Sequence, residues 1–131
     1  MRVVTKEEVE EIMKGMPKNK APGPDGVTPK FYQATWPFKG QDIMEVVEES
    51  RCNEKVCPSL NFTFIILIPK SAKSEDPQGF QTIALCNVIY KIITTLIVKC
   101  LKPLLPSLIS PKQTGFMEGR KSLMALFHPK R

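Results

Sequence analysis

Side chains able to do chemistry are few in this sequence, and they do not form a catalytic set. The one histidine, His128, lies near the end of the chain, so no base is placed to activate a serine or cysteine nucleophile. The three aspartates, Asp25, Asp42 and Asp76, fall in a tight turn, at a helix start and in a loop. A two-metal site needs carboxylates held close together on rigid elements. We therefore expect no catalysis from these residues alone.

The cysteines do not have the spacing of a metal site. Zinc sites usually pair cysteines a few residues apart and add a second pair or histidines, whereas Cys52, Cys57, Cys86 and Cys100 are irregularly spaced. We interpret them as reduced thiols in an intracellular protein. No signal peptide is visible, and the longest apolar run, FIILI, is too short to cross a bilayer. The sequence therefore predicts neither a bound cofactor nor a membrane partner.

Positive charge is concentrated in the second part of the chain. The net charge is +6, and residues 56–131 hold ten Lys and Arg against three Asp and Glu. Residues 1–55 are nearly balanced, with nine against ten. An excess of this kind is expected of a surface that faces phosphates. The alternative is that these lysines only keep the protein soluble.

The first part of the chain reads as three helices. Thr5 is an N-cap with Glu8 as its capping-box partner, and this helix should end at Gly15. Thr28-Pro29 has the pattern of an N-cap followed by a first-position proline, leading a short aromatic helix. Apolar periodicity predicts a third helix from about residue 41 to residue 50.

The middle of the chain changes to strand patterns. NFTFIILIPK, residues 61–70, is a continuous apolar run that predicts a strand buried on both faces. TIAL, residues 82–85, could pair with it as a hairpin. The longest helix should start after Asn87, with Lys91 and Lys99 on its polar face. We predict an α+β fold, one domain over residues 1–131, with helices packed on a small antiparallel β-hairpin.

Four segments resemble one protein family in that family's order. NKAPGPDG, residues 19–26, resembles the fingers region of reverse transcriptases from non-LTR (LINE-type) retrotransposons and looks closest to the plant forms. FIILIPK, CNVIYKIITTLIVKCLKPLLPSLISP and QTGFMEGR follow. The resemblance covers about residues 4–120.

The resemblance implies an RNA-directed DNA polymerase with fingers, palm and thumb, which uses two Mg²⁺ ions held by palm aspartates. The chain would be a truncated reverse transcriptase domain, comprising fingers and the first palm-side helices. The palm aspartates of the family are not present in it, so no metal or catalytic residue is expected here. The implied partners are an RNA template and a DNA primer.

The resemblance also assigns contacts to individual residues. Lys70, which ends FIILIPK, matches the lysine that reaches the triphosphate of the incoming nucleotide, although a solvated lysine after a strand is the alternative. The matched template- and primer-binding positions are Lys20, Pro22, Gly23, Pro24, Asp25, Gly26, Gln113, Gly115, Phe116 and Arg120. Prolines fix φ and glycines permit close backbone approach, which suits contact with a template. A purely structural turn between two helices is the alternative.

One departure from the family lies at residues 80–85. The family reads Phe-Arg-Pro-Ile-Ser-Leu, whereas this chain reads FQTIAL, so Gln81 stands where an arginine clamps the phosphates of the nucleotide. Glutamine has no charge and cannot make the bidentate contact. We therefore expect that the chain does not polymerise DNA by itself. Two other hypotheses stay open: a non-catalytic nucleic-acid-binding module, and a non-functional retroelement relic.

Overall fold

The computed structural model describes residues 3–73, 75–108 and 110. The elements, in chain order, are α1 (Lys6–Lys14), α2 (Pro29–Cys52), β1 (Thr63–Pro69), β2 (Phe80–Cys86), α3 (Val88–Leu101) and α4 (Leu105–Leu108). Short 3₁₀ turns at Pro58–Leu60 and Pro77–Gly79 precede the two strands. The predicted α+β class is confirmed, since helices accompany a two-stranded antiparallel sheet.

The chain divides into two compact units after Leu96. The first unit contains α1, α2, both strands and α3 as far as Leu96. The second contains the end of α3 and the four-residue α4. In that second unit a backbone hydrogen bond from Leu104 N to Leu101 O, 2.8 Å long, turns the chain between the two helices.

Helix α1 begins and ends where its sequence predicts. The Thr5 hydroxyl accepts a hydrogen bond from Glu8 N at 3.3 Å, and the Glu8 carboxylate accepts one from Thr5 N at 3.1 Å, which completes the capping box. Gly15 caps the other end, and its N–H donates to Glu11 O. The residues flanking the cap, Val4 and Val9, are both buried.

Helix α2 corrects the prediction of two separate helices, because it runs unbroken for 24 residues. Pro37 lies inside it, although proline removes a helix hydrogen bond and usually ends a helix. Trp36 before the proline and Ile43 after it are buried in the same core. Packing on both sides therefore outweighs the local helix-breaking preference. The same helix, and not the 14-residue α3, is the longest element of the described residues.

The core of the first unit is built from α1, α2 and α3. Its buried members from the three helices pack as one cluster with Val4, and they are Val9, Ile12, Met13, Trp36, Ile43, Val47, Val88, Ile92, Ile93 and Leu96. No residue of either strand belongs to this cluster. The helices therefore hold the fold together, and the strands are carried by them.

The hairpin formed by β1 and β2 is confirmed in its pairing but not in its burial. Thr63 pairs with Cys86 at the base, and Pro69 pairs with Phe80 at the tip. The prediction of a strand buried on both faces is wrong, because Ile65 is 72% exposed and Phe64, on the other face, is 57% exposed. A continuous apolar run indicates a strand with two apolar faces, but it does not supply the layers that would cover them.

Candidate nucleic-acid interface

The segment 19–26, called here the Pro/Gly turn, is closed by hydrogen bonds of its own. Gly26 N donates to Gly23 O at 3.0 Å, and the Asp25 carboxylate accepts from Val27 N at 3.0 Å. Gly26 has a φ of +71°, a conformation that glycine adopts without strain. These bonds hold Asp25 and its neighbours in one defined shape.

The Pro/Gly turn packs against the junction between β2 and α3. A Cβ atom added to Gly23 would lie 2.5 Å from the backbone nitrogen and from Oδ1 of Asn87, and 2.6 Å from the carbonyl carbon of Cys86. Gly23 is therefore required for this close approach. A hydrogen bond from Asp25 N to Asn87 Oδ1, 3.2 Å long, adds to the contact.

Asn87 connects this turn to the entry of the hairpin. Its side chain is buried, with 2% of its surface exposed. While Oδ1 accepts from Asp25 N, Nδ2 donates to Ser59 O at 3.4 Å and to Leu60 O at 3.3 Å. The backbone carbonyl of Asn87 also accepts from Lys91 N, so the residue lies at the start of α3 as its sequence predicts. The long-range contacts of the side chain were not predicted.

The two residues assigned to the nucleotide both lie at the tip of the hairpin. Lys70 N donates to Gly79 O at 2.8 Å, which extends the pairing by one step beyond Pro69. Gln81 pairs with Ile68. Because strand side chains repeat every two residues, Lys70 and Gln81 project from the same face. The Lys70 ammonium donates to Gln78 O at 3.0 Å, and both residues are exposed.

The Pro/Gly turn and the hairpin tip lie at opposite ends of the hairpin. Asn87 follows Cys86, which pairs with Thr63 at the base, whereas Lys70 follows Pro69 at the tip. The rise of an antiparallel strand puts Thr63 and Pro69 about 20 Å apart. The structure therefore places Lys70 and Gln81 at the same end of the hairpin and separates both from the turn.

Tyr32 of α2 lies near the Pro/Gly turn, and its pKa is affected by a charge in that turn. Burial raises the pKa of this half-buried phenol, and the negative charge of Asp25 raises it further. The Tyr32 ring also contacts Phe31 edge-to-face, with centroids 5.9 Å apart. The first turns of α2 thus present an aromatic pair next to the Pro/Gly turn.

Comparison with known proteins finds a similar sequence that aligns over most of this chain. The chain is 30% identical over 117 residues to the Transposon TX1 uncharacterized 149 kDa protein of Xenopus laevis. The aligned part is 89% of this chain but 9% of that protein. This sequence resembles a transposon protein. No family model matches the chain.

Several predicted positions lie outside the described residues. Gln113, Gly115, Phe116 and Arg120, the second template- and primer-binding segment, are among them. Within residues 3–73, 75–108 and 110, no group of three or more His, Cys, Asp or Glu side chains could hold a metal ion. Over the same ranges, no helix is long and apolar enough to cross a membrane.

Sequence reasoning missed the residue that joins the site. The sequence patterns assign Asn87 only as the residue after which the longest helix starts, although it lies between a strand and a helix that are both apolar. A buried amide in such a place must satisfy its donors and acceptors. That requirement is a signal for long-range hydrogen bonds, but it does not name their partners.

Proposed function

We propose that this chain is the fingers segment of a non-LTR retrotransposon reverse transcriptase. The Pro/Gly turn contacts the template strand, and Lys70 at the tip of the hairpin contacts phosphates of the nucleotide or of nucleic acid. The similarity to a transposon protein over most of the chain supports the origin. The order of the four matched segments supports the enzyme class.

One geometric observation carries the proposal. Lys70 and Gln81, which are eleven residues apart in the sequence, project from one face at the tip of the same hairpin. A strand end fixes the backbone position of a lysine, and the ammonium group can then contact a phosphate. In the family that the chain resembles, the position of Gln81 holds a second cation, so the pair forms a reduced version of a phosphate clamp.

By itself the 131-residue chain is proposed to bind nucleic acid without catalysing polymerisation. The Asp25 carboxylate is bonded to its own turn, the Asp42 carboxylate is paired with Lys39 on α2, and Asp76 precedes β2. These three aspartates lie on three different elements, whereas two-metal catalysis needs carboxylates around a shared pair of ions.

The test is a salt titration of binding to a single-stranded RNA oligonucleotide, measured by fluorescence anisotropy. Release of counterions predicts that affinity falls steeply between about 50 and 200 mM salt. Lys70→Ala should weaken binding and lower the slope of log affinity against log salt by about one. Lys14→Ala removes an exposed lysine on α1 and should leave the slope unchanged. Absence of binding at the lowest salt, or binding that does not respond to salt, would overturn the proposal.

A non-functional remnant is the second candidate, and one observation favours it. The hairpin exposes large apolar side chains on both faces, including Ile65, Leu67 and Phe64. Surfaces of this kind favour association or aggregation when nothing covers them. A soluble monomer with a sharp, cooperative thermal transition and salt-dependent RNA binding would exclude this candidate.

A further inference from the structure

We propose that Asn87 is a positioning residue that holds the hairpin and the Pro/Gly turn in one arrangement, so that both contact the same nucleic-acid strand. This inference rests on the proposed function, because it assumes that the turn and Lys70 both bind nucleic acid. It adds a role for a residue that does not reach the ligand.

The hydrogen bonds of Asn87 connect segments that are far apart in sequence. Asp25 N, bound through Oδ1, lies 62 residues away, and Ser59 O and Leu60 O, bound through Nδ2, lie 28 and 27 residues away. The first belongs to the Pro/Gly turn, and the other two end the 3₁₀ turn before β1. One side chain thus joins the turn to the entry of the hairpin.

The Asn87 carboxamide can make all of these hydrogen bonds, whereas a carboxylate at the same position could not. A carboxamide offers two N–H donors and an accepting oxygen, whereas an ionised carboxylate only accepts. Asp at position 87 would keep the bond from Asp25 N but would place an oxygen opposite the carbonyls of Ser59 and Leu60. The hairpin entry would then lose its connection while the turn kept its own.

Asn87 and its hydrogen-bond partners lie at the base of the hairpin, far from the hairpin tip. The tip of the hairpin, where Lys70 lies, is about 20 Å from its base at the strand rise, and none of its strand residues is in the buried core. A small rotation at Leu60 therefore becomes a large displacement at Lys70. Two contacts on one strand reinforce each other only while their separation matches the ligand.

The test measures how much Lys70 contributes to RNA binding in two backgrounds. In the natural chain, Lys70→Ala should weaken binding of a single-stranded RNA oligonucleotide by about threefold to tenfold. In the Asn87→Asp background the same change should weaken it by less than about twofold, because the contacts no longer cooperate. Asn61→Asp, a matched control at an exposed position next to the 3₁₀ turn, should keep the full effect of Lys70→Ala.

Comparing the affinity loss caused by Lys70→Ala in the two backgrounds distinguishes a positioning role of Asn87 from a general loss of stability. A variant that is only less folded loses affinity by one common factor, so the effect of Lys70→Ala would stay the same. Asn87→Ser replaces both N–H donors by one hydroxyl on a shorter side chain without adding a charge, and it serves as the second background if Asn87→Asp does not fold. An unchanged Lys70 effect in a folded Asn87 variant would overturn the inference, as would unfolding of both variants, since Asn87 would then serve the fold as a whole. Failure of the natural chain to bind RNA would instead overturn the proposed function.

Discussion

Gly23 lies so close to Asn87 that no side chain fits between them. A Cβ atom on Gly23 would meet the backbone nitrogen and Oδ1 of Asn87 at 2.5 Å each. Real Cβ atoms do not approach such atoms so closely, and the atoms concerned belong to the start of α3. One side of the Pro/Gly turn is therefore shaped for contact with its own protein.

The first prediction concerns the two glycines of the turn. Gly23→Ala should reduce the free energy of unfolding by about 2–3 kcal/mol, because the added methyl group must displace the backbone. Gly26→Ala is the matched control, since its Cβ would meet nothing within 4 Å and only its φ of +71° is unfavourable. The control should lose about 1 kcal/mol. Chemical denaturation of both variants measures the difference, and equal losses would contradict the close contact.

The second prediction adds a cation at the tip of the hairpin, at the position where the proposed family has an arginine. Gln81→Arg should strengthen binding of RNA or of a nucleoside triphosphate by about threefold to tenfold, because the guanidinium would lie on the same face as Lys70. Thr82→Arg adds the same charge one residue along, on the opposite face. Anisotropy or calorimetry should find a smaller gain for Thr82→Arg. An equal gain would mean that only net charge matters.

The third prediction tests the exposed faces of the hairpin. Ile65→Lys and Leu67→Lys place charges at side chains that are 72% and 62% exposed. Self-association should fall while the melting temperature changes little, because surface substitutions alter stability by only about 0.5 kcal/mol. Ile92→Lys, at a fully buried core position, should instead unfold the chain. Sedimentation velocity and thermal melts provide the two measurements. A large loss of stability from Ile65→Lys would indicate that this face is covered.

The fourth prediction is a pH dependence that arises from Glu48. Its carboxylate accepts from Arg51 Nε at 2.8 Å and from Val4 N at 3.1 Å. The bond to Arg51 is the main reason that the pKa of Glu48 lies below its ordinary value, with the Val4 N–H helping and desolvation opposing. Because the pKa is lowered in the folded state, Glu48 stabilises the fold at neutral pH. This stabilisation should be lost as the pH falls below about 4.3, the ordinary value of a glutamate.

Thermal melts of Glu48→Gln measure that contribution. At pH 7 the variant should be less stable by about 0.5 kcal/mol, a small figure because water screens a pair so near the surface. The difference between natural chain and variant should shrink as the pH drops through the acidic range. A difference that persists at pH 3 would assign the effect to packing.

Local chemistry made part of this structure predictable. The capping box of α1, the Thr28-Pro29 start of α2 and the pairing of β1 with β2 each follow from residues that are neighbours in sequence or share one pattern. The passage of α2 through Pro37 was not predictable in this way, because it depends on the burial of Trp36 and Ile43 among other helices.

In the candidate site, too, some features follow from local sequence patterns and others depend on the tertiary structure. Lys70 and Gln81 could be placed together once the hairpin was recognised, because strand pairing fixes which residues share a face. The contact between the Pro/Gly turn and Asn87 could not, because it depends on the three-dimensional path of the 61 residues between Asp25 and Asn87. The burial of the hairpin was predicted wrongly, because an apolar sequence favours burial but does not show that another layer of the protein packs on it.

The bond between Asp25 and Asn87 sets an order of events during synthesis. At about 5–20 residues per second, the ribosome needs about 3–12 s to add the 62 residues from Gly26 to Asn87. α1 is complete when that interval begins and α2 is synthesised within it, but the turn lacks its anchor and the core lacks Val88, Ile92, Ile93 and Leu96. The nascent chain therefore exposes the helix surface that α3 later covers. Its early half is dependent on a segment translated later, and a chaperone has several seconds in which to meet it.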